Sequence, residues 1–150
     1  IYPDCGSGFS EGTSYWVETE ADKEGNVRLE LLLPADIRGL RLDPAETPCL
    51  VKVKRILGEL GGSYDLGWSH NGRELEQQGI LYTTTDPQIV ISGLVEGTGR
   101  LYVELTIQEL YPDTAYACMH LLNRVRAAER LTNSMPFKFL KKLKNILKSR

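Results

Sequence analysis

The chain has 150 residues, 41% of them hydrophobic and 25% charged, which fits one ordinary soluble domain plus an extension and excludes disorder, collagen and a disulfide scaffold. No run approaches the roughly 20 apolar residues that cross a bilayer, and the opening Ile1-Tyr2-Pro3-Asp4 has neither region of an export signal. The formal charge of −2 hides two opposed segments: residues 1–123 carry nine bases against nineteen acids, a net −10, while 124–150 carry nine bases against Glu129 alone, a net +8.

The first residue is Ile rather than Met, which suggests a chain cut from a longer polypeptide or processed. The opening loop holds Gly6 and Gly8 but has no Lys and no strand-turn-helix context, so it does not read as a phosphate loop. Asp4 and Glu11 could offer oxygens to calcium, but a plain turn is the stronger reading. Tyr15 to Thr19 is a short candidate strand. Val27, Leu29, Leu31 and Leu33 then alternate with Arg28 and Glu30, the period of a half-buried strand. Shorter candidates are Leu40 to Asp43, Leu50 to Ile56, Leu81 to Thr84 and Ile89 to Ile91, separated by turn formers such as Asp43-Pro44, Gly61-Gly62, Asn71-Gly72 and Asp86-Pro87. Leu101, Val103, Leu105 and Ile107 repeat the alternation. The Gly-rich stretch from Gly58 to Gly79 reads as the main irregular region, and long loops on a rigid scaffold are where binding residues sit. Seven or eight strands without helical periods between them predict an all-β antiparallel sandwich, jelly-roll-like, over residues 1–111.

After Tyr111-Pro112 the period changes. Ala115, Cys118, Met119, Leu122 and Val125 recur at helical spacing, with Asp113 or Thr114 as N-cap, which predicts a helix to about Leu131. Residues 112–150 are thus a helical basic extension or linker. Beyond Pro136, Phe139, Leu140, Leu143, Ile146 and Leu147 alternate with lysines as a second amphipathic segment, suited to packing on a neighbouring domain or to an anionic membrane surface over 136–150. It lacks the aromatic interleaving of a nucleic-acid reader, so no nucleic-acid partner is expected.

Little here supports catalysis. Cys5, Cys49 and Cys118 are widely spaced and read as reduced thiols, and His70 and His120 lie far apart, so no zinc or other metal site and no cofactor is expected. No Ser, His and Asp set stands out, and no carboxylate pair stands out for glycoside hydrolysis. Aromatic rings beside polar side chains do suit a saccharide, whose C–H face packs on a ring while its hydroxyls find hydrogen bonds. Trp68, Tyr64, Asn71 and Arg73 form such a set, with His70 and Glu74 beside them and Trp16 and Tyr82 as further members. Trp68 divides evenly between contact and core; Trp16, heading a candidate strand, reads more readily as core.

Three segments resemble a known family. Tyr2-Pro3-Asp4-Cys5-Gly6-Ser7-Gly8-Phe9-Ser10-Glu11, Leu40-Arg41-Leu42-Asp43-Pro44 with Val51-Lys52-Val53, and Thr85-Asp86-Pro87-Gln88-Ile89 are similar to the accessory β-sandwich module of bacterial glycosyltransferases and methyltransferases that build surface polysaccharides such as O-antigen and rhamnan. Leu-Arg-Leu-Asp-Pro before an alternating strand also resembles the galactose-binding-like jelly rolls of carbohydrate-binding modules. The resemblance implies a non-catalytic module of a larger cytoplasmic enzyme, at most peripheral to the inner membrane, with an oligo- or polysaccharide as partner and no catalytic residue to carry over. The alternative is a structural or protein-interaction module whose basic tail docks on a membrane or on neighbouring domains.

Overall fold

A computed structural model describes residues 1–133; the second amphipathic segment and its interruption at Met135-Pro136 lie outside the described residues. The chain divides into two compact units, Ile1–Ala115 and the residues from Tyr116 onward. The first unit is built of two antiparallel sheets, a sandwich-like architecture, and a C-terminal helix follows.

Ten strands run in chain order: β1 Tyr2–Asp4, β2 Asn26–Leu32, β3 Gly39–Leu42, β4 Cys49–Glu59, β5 Ser63–Asp65, β6 Gly67–His70, β7 Arg73–Leu75, β8 Gly79–Tyr82, β9 Ile89–Ser92 and β10 Arg100–Glu109. One sheet has the order β1-β3-β9-β6; the other has β2-β10-β4-β8-β7, with β5 paired to β4. The longest pairings join β10 to both β4 and β2. The strand β2 lies beside β10, β3 beside β9 and β4 beside β8, and the chain passes between the sheets several times, with β4–β5 and β7–β8 staying within one sheet.

Alternation explains which face is buried. Leu31 of β2, and Leu101, Val103 and Leu105 of β10, point into one core with Leu40, Leu42, Ile89 and Ile91 of the other sheet. In β4 the parity changes midway, from Cys49 and Val51 to Ile56 and Gly58, because the register against β10 slips between Leu105↔Val53 and Glu104↔Arg55. Lys54 is the extra residue of that bulge and stays exposed.

Three features differ from the sequence expectations. Tyr15 to Thr19 is not a strand, since it finds no sheet partner. The stretch from Gly58 to Gly79 is not an irregular loop but carries β5, β6 and β7, each too short to show a period. The helix α1, Pro112–Asn133, starts before Asp113 and Thr114, with Pro112 in its first turn, where a missing N–H costs nothing. Asp113 then sits in the first turn, complementing the helix dipole.

Candidate functional site

The four residues singled out in the sequence fall on different parts of the sandwich. Tyr64 of β5 lies opposite Gly58 of β4, and its ring fills the space a side chain there would need: a Cβ on Gly58 would sit 2.6 Å from Tyr64 Cζ. Thr98, only 1% exposed, gives its hydroxyl proton to the Val95 carbonyl (2.6 Å), so the 2.6 Å contact between Tyr64 and Thr98 is a hydrogen bond donated by Tyr64. Asn71 is fully engaged as a clamp: its Nδ2 donates to the Asp86 carbonyl (2.8 Å) and its Oδ1 accepts from Gln88 N (2.9 Å). Arg73 is half-buried on β7, opposite Leu81. Trp68 sits on the edge strand β6 opposite the buried Ile91, 38% exposed, its ring 5.9 Å from that of His70, which meets Tyr82 edge-on at 6.4 Å. Tyr64 and Arg73 thus belong to one sheet and Trp68 to the other.

A different set of side chains does converge. After β1 the chain turns through a short 3₁₀ segment, Glu11–Thr13, capped by Ser10 Oγ accepting from Gly12 N. It returns beside its own start, where Tyr15 N donates to Ile1 O (3.0 Å) and Ile1 N to Tyr15 O (2.9 Å). That pairing holds Tyr15 and Trp16 at the wall of a cleft of about 300 Å³ at one end of the sandwich. Val27, Leu42 and Leu105 give it an apolar base, and Glu11, Asp43, Glu46 and Asp86 supply its carboxylates. Trp16 is 81% exposed, which corrects the expectation that it belongs to the core. Two adjacent aromatics were the available signal, because neighbours in an extended segment point to opposite sides and Tyr15-Trp16 cannot both face inward.

The polar wall is tied together by one cation. Arg41 donates from Nε to Asp43 Oδ1 (2.8 Å) and from Nη2 to Asp43 Oδ2 (2.6 Å), and Nη2 also reaches Asp86 Oδ1 (3.2 Å). Its Cζ lies 4.1 Å over the Tyr2 ring, whose hydroxyl donates to Glu11 (3.2 Å). Hydrogen bonding to Asp43 raises the Arg41 pKa further, and desolvation followed by the bond to Glu11 raises that of the Tyr2 phenol. Arg41 and the Tyr2 phenol therefore stay protonated near neutral pH and act as donors to the carboxylates. The cleft offers aromatic faces, an apolar base and fixed acceptors, an arrangement suited to holding a polyhydroxylated ligand.

A second cleft of similar size lies between Arg28, Arg55, Tyr102 and Glu104 on β2, β4 and β10, where Arg28 and Glu104 are already paired (3.4 Å). Among the described residues no group of three or more His, Cys, Asp or Glu side chains is placed to hold a metal ion. Comparison with family models, with curated proteins and with solved structures finds no match in any of the three.

Proposed function

We propose that the chain is a non-catalytic carbohydrate-binding module, an accessory part of a glycosyltransferase that builds surface polysaccharide, and that the glycan is held at the Trp16 cleft. The observation that carries this reading is an 81% exposed tryptophan beside Tyr15 at a cleft with ordered carboxylate acceptors. Exposing so large an apolar ring costs solvation free energy that stacking on a sugar recovers. Two antiparallel sheets between which the chain passes several times, with β2 beside β10, β3 beside β9 and β4 beside β8, support the finer assignment as a jelly roll, the architecture implied by the resemblance of residues 1 to 111. The Trp68 edge is the other glycan-facing candidate; its ring is half as exposed as that of Trp16, and Asn71 beside it is engaged within the fold.

The test is an NMR titration of the intact chain against neutral, acidic and amino oligosaccharides, sensitive to a Kd near a millimolar, about −4 kcal/mol. Saturable shifts at Trp16, Tyr15 and Glu46, weakened by about 1 to 3 kcal/mol in Trp16→Ala, are expected. Shifts clustered at Trp68 would move the site, and a flat response would overturn the glycan reading. A second reading, an interaction module, draws on α1, which exposes Leu121, Val125 and Leu131. No described helix is long and apolar enough to cross a membrane. Sedimentation with anionic vesicles separates a lipid surface from a protein partner.

A further inference from the structure

Resting on the reading of the Trp16 cleft as a glycan site, we infer that the sugar it selects carries a free amine. The charged side chains of its lining are of one sign: Glu11, Asp43, Glu46 and Asp86 are carboxylates, no Lys, Arg or His side chain lines it among the described residues, and the one cation in the lining is the Ile1 ammonium, which donates to Tyr15 O (2.9 Å). Arg41 meets this wall from outside the lining, and its guanidinium is occupied by both oxygens of Asp43, by Asp86 and by the Tyr2 ring. The Arg41 guanidinium and the Ile1 ammonium stand against four carboxylates, which leaves a net negative field, and Glu46 is exposed to meet a ligand. The walls add aromatic faces, whose quadrupoles attract a cation.

These two features act together on one class of sugar. A neutral hexose uses the rings but gains nothing from the excess carboxylate, and a uronic acid is repelled by it. A hexosamine with a protonated amine stacks its ring on Trp16 or Tyr15 and places the ammonium against Glu46, Glu11 or Asp86. The basic segment 124–150 repels the same ligand, so it cannot be the source of such a preference.

The experiment is calorimetric titration of the intact chain at about pH 6, where carboxylates are ionised, with a glucosamine tetrasaccharide and its fully N-acetylated counterpart. The expected result is at least about tenfold tighter binding of the free amine, a preference that shrinks at high salt. Glu46→Gln combined with Glu11→Gln should narrow the preference by weakening the free amine more than the acetylated sugar, and Trp16→Ala should weaken both sugars. Equal affinities that both fall in Trp16→Ala would overturn the amine inference and keep the cleft. Binding of neither sugar, or binding indifferent to Trp16→Ala, would overturn both. Spermidine binding as tightly as the amino sugar would reduce the effect to charge alone and overturn the inference.

Discussion

Arg41 grips Asp43 with two parallel hydrogen bonds, 2.8 and 2.6 Å, across the end of β3. Both side chains are mostly buried, at 18% and 19% exposure, and the same guanidinium reaches Asp86 and covers Tyr2. One cation therefore joins β1, β3 and the turn before β9, the three parts that carry the cleft wall. Removing it in Arg41→Met leaves Asp43 without its partner in a poorly solvated place. The expected loss is about 1 to 3 kcal/mol, read as a lower urea midpoint at unchanged slope. An unchanged midpoint would show that the triad only decorates the wall.

Gly58 and Tyr64 make a comparable prediction in the core. With a Cβ placed 2.6 Å from Tyr64 Cζ, Gly58→Ala must displace the ring and with it the hydrogen bond to Thr98. Destabilisation of about 1 to 3 kcal/mol is expected. Shortening the ring residue to Leu should recover part of the loss in the Gly58→Ala background, giving a non-zero coupling in a double-mutant cycle. Strict additivity of the two changes would show that ring and backbone do not meet.

The sequence announced the long strands because their partners bury one whole face: Leu101, Val103 and Leu105 alternate with Tyr102 and Glu104 as β10 runs between two neighbours. β6 and β7 escaped notice because they are three or four residues long and have a single neighbour each, so their burial pattern has no period. The cleft was hidden for a different reason. It forms when Ile1 and Tyr15 pair across the opening loop, a contact between segments with no local signature, and Trp16 at the head of a candidate strand has the pattern of a core residue.

Two aspartates, the half-buried Asp4 and the exposed Asp22, set the acid limb of stability. Asp4 Oδ1 accepts from Gly6 N (2.7 Å) and Gly8 N (2.8 Å), both glycines adopting positive φ to curl over it, and these bonds hold its pKa below the usual 3.8. Asn26, through its side chain and then its backbone, does the same for Asp22. A carboxyl depressed in the folded state stabilises the fold above the unfolded value and loses that contribution as pH falls through the folded one. The melting temperature should therefore drop below about pH 4, and Asp4→Asn and Asp22→Asn should each flatten the drop. Carboxyl carbon titrations at the ordinary value for both residues would remove this account.

The three thiols should separate by reactivity. Cys49 is fully buried on β4, and burial, with Glu109 adding to it, pushes its thiol up to about 11. Cys5 is exposed, its pKa raised by desolvation and by the hydrogen bond with Asp36, and Cys118 is half-exposed on α1. Thiolate is the reacting form, so iodoacetamide at neutral pH should label Cys5 and Cys118 and spare Cys49 until the sandwich unfolds. Labelling at Cys5 should accelerate as pH rises. Mass spectrometry resolves the sites, and labelling of Cys49 at the rate of the others would mean that β4 opens far more readily than its central place between β8 and β10 allows.

Fluorescence gives the most direct view of the cleft, because each tryptophan can be isolated. Trp68→Phe leaves Trp16, whose 81% exposure predicts water-like, red-shifted emission and efficient quenching by acrylamide. Trp16→Phe leaves Trp68, 38% exposed beside His70, with bluer emission and weaker quenching. A ligand that stacks on Trp16 should shield it from acrylamide and shift its emission to the blue in the Trp68→Phe protein, without effect on the Trp16→Phe protein. Ligand-dependent protection of Trp68 alone would instead put the binding face on the β6 edge, where the ring lies against His70 at the rim of the core. Equal quenching of the two variants without ligand would show that Ile1 and Tyr15 do not hold the Trp16 segment in the arrangement that forms the cleft.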